Sequence, residues 1–184
     1  MELHLIRHTP VQVESGVFYG QRDVPLRDNY LKDFEEISLD IDYDVVISSP
    51  LKRCTLLAEY FSLTYTTDER IMELNFGDWE LKAWEQIPPD DIQSWYDDYV
   101  HIAPPNGESL IEMQHRVDDF FTHLKEKYFN NKILIITHAG VIRLLIQKIS
   151  KIPVEEIFSI EVEYGRKTVI IQDKNHLKIS QINI

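Results

Sequence analysis

Three short segments along the chain are rich in apolar and often β-branched side chains. They are residues 2–7, which alternate before they run apolar, residues 44–48 and residues 132–137. Continuous apolar runs of this length are typical of strands that are covered on both faces, as in parallel sheets. We therefore predict that these segments are strands of a buried, mostly parallel sheet.

Helical patterns separate the predicted strands. Pro50 suits the first position of a helix that extends to about residue 62. Ser109 and Glu112 have the spacing of a capping box and predict the start of a long helix with one apolar face. Residues 139–150 are apolar nearly all round, which predicts a third helix that is buried.

The C-terminal part of the chain has strand-like patterns. Residues 157–163, 168–172 and 177–182 predict strands, and Gly165 and Arg166 predict a turn. Strands that alternate with helices indicate an α/β fold, to which the C-terminal hairpin adds an antiparallel edge. The fold class that we predict is α/β, a three-layer α/β/α sandwich with a mostly parallel central sheet.

The segment at about residues 76–105 has no clean periodicity. It contains three tryptophans and four prolines. We interpret it as a small, partly helical cap over the strand ends, where open α/β sheets bind ligands. Because no linker or repeat divides the chain, we expect a single domain, residues 1–184, that includes this cap.

The charge of the chain narrows the choice of partners. It has 31 acidic and 19 basic residues and a net charge of −12, and such a surface repels nucleic acid and anionic membranes. Neither is expected as a partner, and a phosphorylated ligand would need a local basic pocket. Cys54 is the only cysteine, which fits a reducing compartment. With no signal or membrane-spanning pattern at the N-terminus, we expect a cytoplasmic protein.

Basic or nucleophilic side chains follow each of the three predicted parallel strands. Arg7 and His8 end the first strand, Arg53 follows the second, and His138 follows the third. We expect these side chains to meet at one edge of the sheet, and Glu73 supplies an acid that can reach over that edge.

This set of side chains suits phosphoryl transfer, which needs a nucleophile, cations around the phosphate oxygens and an acid for the leaving oxygen. A neutral imidazole such as that of His8 is a competent nucleophile at neutral pH. Arg7 and Arg53 can each present a planar donor fork to phosphate, and His138 adds a donor if it is protonated. Glu73 can protonate the leaving group and then take a proton from water.

The order of these motifs resembles the histidine phosphatase superfamily, which has the phosphoglycerate mutase-like fold. The resemblance extends from residue 3 to about residue 152 and implies a phosphatase that needs no metal and no cofactor. It implies that His8 becomes phosphorylated and that Glu73 is the general acid and then the base. It further implies a phosphate pocket in which the following residues take part: Arg7, Arg53, His138, Gly20 and Gln21.

Three segments look more specifically like α-ribazole 5′-phosphate phosphatases of cobalamin synthesis. They are residues 19–26, 76–80 and 104–109. This similarity implies a small phosphate monoester as the substrate. A broad-specificity sugar phosphate or nucleotide phosphatase is the alternative, and a non-catalytic module that binds phosphorylated ligands is an alternative of another class.

The loop after the nucleophile departs from the common family motif. Thr9 stands where the motif has glycine, and the following Glu-Thr and the asparagine of the motif are replaced by Pro10, Val11 and Glu14. None of these changes removes a catalytic group. They leave open which contacts this loop makes and which alcohol the substrate carries.

Two of the assignments have rivals. Lys52 is an alternative to Arg53, and Asp78 and Glu80 are alternatives to Glu73. Spacing from the neighbouring motifs favours Arg53 and Glu73.

His4, Arg143 and Cys54 are assigned structural roles. The spacing of His4 and His8 would allow a metal site on one face of a strand, but no acid or cysteine completes a ligand shell nearby, so we predict a structural role for His4. We predict that Arg143 makes a helix-side contact and that Cys54 packs in the core.

Overall fold

One mixed sheet of six strands forms the centre of the computed structural model, which describes residues 1–39, 42–173 and 176–184. In chain order the strands are β1 Glu2–Arg7, β2 Val45–Ser48, β3 Thr66–Thr67, β4 Lys132–Thr137, β5 Lys167–Asp173 and β6 His176–Gln181. Their spatial order is β3-β2-β4-β1-β5-β6. The first four strands pair in parallel, whereas β5 pairs antiparallel with β1 and β6 antiparallel with β5. The predicted fold class is confirmed.

Helices cover both faces of the sheet. They are α1 Tyr30–Glu35, α2 Lys52–Tyr60, α3 Pro89–Asp97, α4 Leu110–Lys127 and α5 Ala139–Ser150, with 3₁₀ turns at Glu69–Ile71, Gly77–Trp79, Trp84–Gln86 and Val154–Ser159. The apolar faces of α4 and α5 form one core cluster with alternate residues of β1 and β4. Side chains of α1 and α2 form a second cluster with the intervening residues of the same strands. Two of the three continuous apolar segments of the sequence are therefore the central strands β1 and β4, which are buried on both faces.

The register of the parallel strands brings three strand ends to one edge. Arg7 of β1 lies opposite Thr137 of β4, and Ser48 of β2 lies opposite Ile136. The residues that immediately follow the three strands therefore emerge side by side. This register places the candidate catalytic side chains.

Two element boundaries differ from the sequence prediction. Pro50 lies before α2, which begins at Lys52 because Asp23 accepts a hydrogen bond from the Lys52 N–H at 2.8 Å and thereby satisfies a donor of the first turn. The helix ends at Tyr60, earlier than predicted, and Ser62 has a left-handed backbone with φ of 53°.

The predicted strand at residues 157–163 is wrong. Its first residues belong to the 3₁₀ turn Val154–Ser159, in which Ile157 is buried against α5. The edge of β1 that such a strand would need is occupied by β5, since β4 and β5 already flank β1 on its two sides. The β-branched content of the segment therefore reflects burial and not pairing.

Residues 76–105 contain α3 and two 3₁₀ turns and have an apolar cluster of their own. The buried members of this cluster are Trp79, Ile87, Ile92 and Trp95, and Phe18 packs against them. Its aromatic side chains thus pack mainly on one another. The division of the chain into one domain with a cap at this segment stays a prediction. None of the helices in the described ranges has the length and apolarity that a membrane span requires.

The capping box at the start of α4 yields a stability prediction. The Ser109 Oγ donates to Glu112 Oε2 at 2.9 Å and accepts from the Glu112 N–H, and the Ser109 side chain is buried. We expect Ser109→Ala to lower the free energy of unfolding in urea by about 1 kcal/mol, because helix N–H groups lose their acceptor. Ser150→Ala, at the exposed end of α5, is the matched control and should change stability by less than about 0.5 kcal/mol. Equal values for the two variants would contradict the assigned cap.

Candidate active site

Three predicted side chains meet at the edge formed by the ends of β1, β2 and β4. His8 is 2% exposed, Arg53 is 1% exposed and His138 is fully buried. The rings of His8 and His138 lie 5.2 Å apart, centroid to centroid. Arg53 reaches this pair from the first turn of α2, while His138 is the residue that immediately precedes α5.

The hydrogen bonds of His8 determine which ring nitrogen is reactive. Nδ1 lies 2.7 Å from the carbonyl oxygen of Thr9. Because a carbonyl oxygen can only accept, Nδ1 must carry the hydrogen and Nε2 of the neutral ring keeps its lone pair. Burial and the nearby charges of Arg53 and Arg7 hold the pKa of His8 well below its usual value. The ring is therefore neutral near pH 7 and has a free nucleophilic nitrogen.

His138 is also neutral, so it is not the protonated donor that the sequence allowed. Burial, followed by the charge of Arg53, holds the pKa of its ring well below the usual value. Its Nδ1 accepts a hydrogen bond from Arg53 Nε at 3.3 Å, which leaves the hydrogen on Nε2, 2.8 Å from Ser49 Oγ. The ring thus orients Arg53 and keeps one N–H donor.

Arg7 has a donor at the site that no protein acceptor in the described residues uses. Its Nη1 donates to the carbonyl of Val162 at 2.6 Å, and its Cζ lies 3.4 Å from the ring centroid of Tyr164. Its Nε is buried without a hydrogen-bond partner among the described residues. Since Nε and Nη2 form the edge of a guanidinium that matches two oxygens of one phosphate, Arg7 has the geometry of a bidentate phosphate ligand.

Arg53 is held by backbone carbonyls. Its Nη1 donates to Arg22 O at 2.9 Å and its Nη2 to Gly20 O at 2.5 Å. Gly20 approaches the backbone so closely that a Cβ there would overlap with the carbonyl of Leu74. Gly20 therefore contributes a carbonyl that orients Arg53, and two of the five guanidinium N–H groups remain for a ligand.

Glu73 lies at the N-terminus of α5. Its Oε2 accepts from the Gly140 N–H at 3.2 Å, and its Oε1 accepts from the Leu74 N–H at 3.0 Å. A Cβ at Gly140 would overlap with this carboxylate, so only glycine leaves room for it. The Gln21 side chain donates to the Glu73 carbonyl at 3.1 Å. Gln21 thus braces the acid in this structure.

The two rival acids have other contacts. Glu80 accepts from the backbone N–H groups of Gln21 at 2.8 Å, Arg22 at 2.5 Å and Phe76 at 3.2 Å, and so organises two loops. Asp78 is exposed and accepts from the side chain of Asn106. Neither of them lines the cavity that contains Glu73 and Arg7.

A cavity of about 230 Å³ opens beside these groups. Its polar side chains include Arg7, Glu73 and Arg143, and most of the others are apolar or aromatic: Val17, Phe18, Leu74, Phe76, Leu110, Met113, Ile157 and Phe158. The arrangement can hold a phosphate at Arg7 and an apolar alcohol in the cavity. In the described part of the chain, no group of three His, Cys, Asp or Glu side chains is placed to hold a metal ion.

Sequence reasoning missed two side chains at this site. Arg143 donates through Nε to Ile160 O at 2.8 Å, as a structural side chain would, but it also lines the cavity. Its position three residues after Gly140 on α5 places both on one helix face, a signal that could have revealed it. Tyr164, which covers Arg7 and approaches His8, lies in a turn that none of the motifs includes.

Comparison with known proteins supports the same chemistry. The model of the histidine phosphatase superfamily (branch 1) matches residues 3–184. Adenosylcobalamin/α-ribazole phosphatase of Escherichia coli (strain K12) is 29% identical over 180 residues, which cover 90% of this chain and 87% of that protein. Phosphoserine phosphatase 1 of Hydrogenobacter thermophilus is 24% identical in an alignment of 195 positions. The alignment covers 100% of this chain and 92% of that protein.

Solved structures extend the similarity to three dimensions. The crystal structure of the α-ribazole phosphatase from Shigella flexneri has a TM-score of 0.89 with 28% identity, and the match covers 100% of this chain and 96% of that one. A putative α-ribazole-5′-P phosphatase from Escherichia coli has a TM-score of 0.90 with 26% identity and the same coverage.

The two neutral imidazoles predict how stability depends on pH. Since His8 and His138 have lower pKa values in the folded chain than in the unfolded chain, the unfolded state binds more protons once the pH falls below about 6.5. Stability is therefore full above that pH and is lost below it, with each group contributing a slope of up to about 1.4 kcal/mol per pH unit.

Urea unfolding between pH 7.5 and pH 5 measures this slope. His8→Gln should flatten it, and His115→Gln, at an exposed position on α4, should leave it unchanged. An equally steep loss of stability in His8→Gln and the wild type would show that His8 is not held neutral.

Proposed function

The chain belongs to the histidine phosphatase superfamily, and we propose that this phosphatase hydrolyses α-ribazole 5′-phosphate through a phosphohistidine on His8. One observation carries the proposal. The unpartnered donor edge of Arg7 lies beside a neutral histidine and borders a largely apolar cavity. A phosphate bound at that edge would have its alcohol group in the cavity, next to Glu73.

In the first step the lone pair of His8 Nε2 attacks phosphorus. The nitrogen–phosphorus bond forms while the bond from phosphorus to the 5′ oxygen breaks, and the departing oxygen takes a proton from Glu73. The phosphorylated ring becomes positively charged, and the carbonyl of Thr9 at Nδ1 stabilises this charge. Arg7 and Arg53 balance the negative charge of the phosphoryl oxygens.

In the second step water attacks phosphorus from the side that the alcohol has left. Glu73 accepts a proton from the water, the nitrogen–phosphorus bond breaks and the pair of electrons returns to His8 Nε2. Inorganic phosphate leaves, and His8 is again neutral. The backbone N–H groups of Gly140 and Leu74 keep the carboxylate of Glu73 in position through both steps.

The shape and polarity of the cavity support the choice of alcohol. α-Ribazole carries an apolar, aromatic benzimidazole base on its ribose. The aromatic side chains of Phe18, Phe76 and Phe158 and the aliphatic ones around them offer such a base a matching surface. The α-ribazole phosphatases among the similar proteins support the same choice.

A second candidate is a phosphatase with a broader range of substrates. Arg143 favours it, because this cation lines the cavity and, among the described residues, has one protein acceptor, the carbonyl of Ile160. It would suit a substrate with a second anionic group. For either substrate, the net charge of −12 supports the absence of nucleic acid and membrane partners, and a cytoplasmic location stays a prediction.

Phosphate release in the presence of a chelator tests the proposal. α-Ribazole 5′-phosphate should be hydrolysed with a clearly higher kcat/KM than sugar phosphates, nucleotides, phosphoserine and phosphoglycerates, and His8→Ala should abolish turnover. Similar rates over the whole panel would favour the second candidate. Hydrolysis that survives His8→Ala would refute the phosphohistidine, and no release from any compound would favour a module that only binds phosphorylated ligands.

The role of Glu73 predicts a dependence on the leaving group. Glu73→Gln should lower kcat for α-ribazole 5′-phosphate by about 10²- to 10⁴-fold, because the departing alkoxide needs a proton. The loss should be much smaller for p-nitrophenyl phosphate, whose leaving group is stable without one.

Asp78→Asn is the control, since Asp78 is exposed and bonded to Asn106. It should retain wild-type rates on both compounds. The assignment fails if Asp78→Asn shows the leaving-group dependence and Glu73→Gln does not.

A further inference from the structure

Two tyrosines lie over the pocket and have no role in the steps described above. The ring of Tyr164 covers Arg7, with 3.4 Å from the guanidinium carbon to the ring centroid. The ring of Tyr19 lies on Arg53 at 5.6 Å. The two hydroxyl oxygens are 2.6 Å apart and form a hydrogen bond between residues that are 145 positions apart in the chain.

This pair also shields His8. The rings of Tyr164 and His8 are 5.6 Å apart, and His8 is 2% exposed although it follows a strand end at the site. Of the residues that the structure describes, those that line the cavity include Arg7, Tyr19 and Glu73 but not His8. The two tyrosine side chains therefore lie where a phosphate group in the cavity would approach Nε2.

Backbone hydrogen bonds next to each tyrosine hold it near the arginine that it covers. The N–H of Gly165, next to Tyr164, donates to the carbonyl oxygens of Arg7 at 3.1 Å and of His8 at 3.3 Å. Gly20, next to Tyr19, gives its carbonyl to Arg53. The backbones at both tyrosines are thus anchored to the pocket, so opening requires rotation of a side chain and not movement of a loop.

The hydroxyl of Tyr19 remains a hydrogen-bond donor near pH 7. Burial and the hydroxyl of Tyr164 raise the pKa of Tyr19 well above its usual value, so its hydroxyl stays protonated. A single hydrogen bond between two hydroxyls contributes little net stability, so a ligand can break it.

We propose that Tyr19 and Tyr164 form a clasp that covers His8 until a phosphate group parts their hydroxyls, and that Tyr164 is a positioning residue that holds the plane of Arg7. This inference rests on the proposed function in taking Arg7 and Arg53 as the phosphate ligands. The ring of Tyr164 fixes the guanidinium from one face while Val162 O fixes Nη1, so that the Nε edge is aimed before the ligand arrives. The hydroxyl bond of the clasp limits the access of water to His8, which is 2% exposed.

Two substitutions distinguish the contribution of the Tyr164 hydroxyl from that of the Tyr164 ring. Tyr164→Phe breaks the clasp and keeps the ring on Arg7, whereas Tyr164→Ala removes both. Tyr65→Phe is the matched control, because its hydroxyl donates to Glu59 at an exposed site near β3, away from the pocket. Thermal unfolding checks that all variants are folded.

The first measurement is the rate at which diethyl pyrocarbonate modifies His8, determined by peptide mass spectrometry relative to the exposed His115. Tyr164→Phe and Tyr164→Ala should both raise this relative rate by at least about threefold, and Tyr65→Phe should not change it. The clasp is refuted if His8 reacts at the wild-type rate in both Tyr164 variants. This readout needs no substrate, so it decides the clasp even if α-ribazole 5′-phosphate proves not to be hydrolysed.

The second measurement is the affinity for inorganic phosphate, determined by ³¹P NMR titration. Tyr164→Ala should weaken binding about tenfold, because both the cation–π contact and the fixed plane of Arg7 are lost. Tyr164→Phe should stay within about threefold of the wild type. Equal affinities of Tyr164→Ala and Tyr164→Phe would refute the positioning role, and a wild type that binds no phosphate would refute the proposed phosphate pocket together with that role.

Discussion

The site depends on two guanidinium groups that are held at one edge of the sheet by neutral acceptors. Arg7 donates to a backbone carbonyl, and Arg53 donates to two carbonyls and to a neutral imidazole. Burying a charge is costly unless its hydrogen bonds are satisfied, and carbonyl oxygens satisfy them without cancelling the charge. A carboxylate partner would have stabilised the empty pocket and competed with a phosphate dianion.

This arrangement also explains the protonation of the neighbouring rings. Burial first, and then the charges of Arg53 and Arg7, lower the pKa values of His8 and His138, so neither ring holds a second proton near neutral pH. The same cations that attract a phosphate therefore help burial to keep the nucleophile in its reactive form. The chain as a whole carries a net charge of −12, so these two guanidinium groups supply local positive charge in an acidic protein.

The sequence predicted the structure best where the local hydrophobic pattern and the overall fold require the same residues to be buried. The continuous apolar runs of β1 and β4 identify strands buried on both faces, and the residues that follow them are placed by the parallel register alone. It was wrong at residues 157–163, where apolar side chains are buried in the core and β5 already occupies the edge of β1. It missed Tyr164 because this residue reaches Arg7 from a turn far along the chain, and no periodicity records such a contact.

Gly140 has a practical consequence for anyone who engineers this protein. A glycine inside a helix is a standard target for thermostabilisation, since replacement by alanine commonly improves helix propensity by up to about 1 kcal/mol. At this position the added methyl group would occupy the space of the Glu73 carboxylate. A design protocol that ranks positions by backbone propensity alone would select this one early, although the substitution would displace Glu73 and strain the packing around it. The helix therefore has a residue of low helix propensity at this position, and the space that the missing side chain leaves is filled by the Glu73 carboxylate.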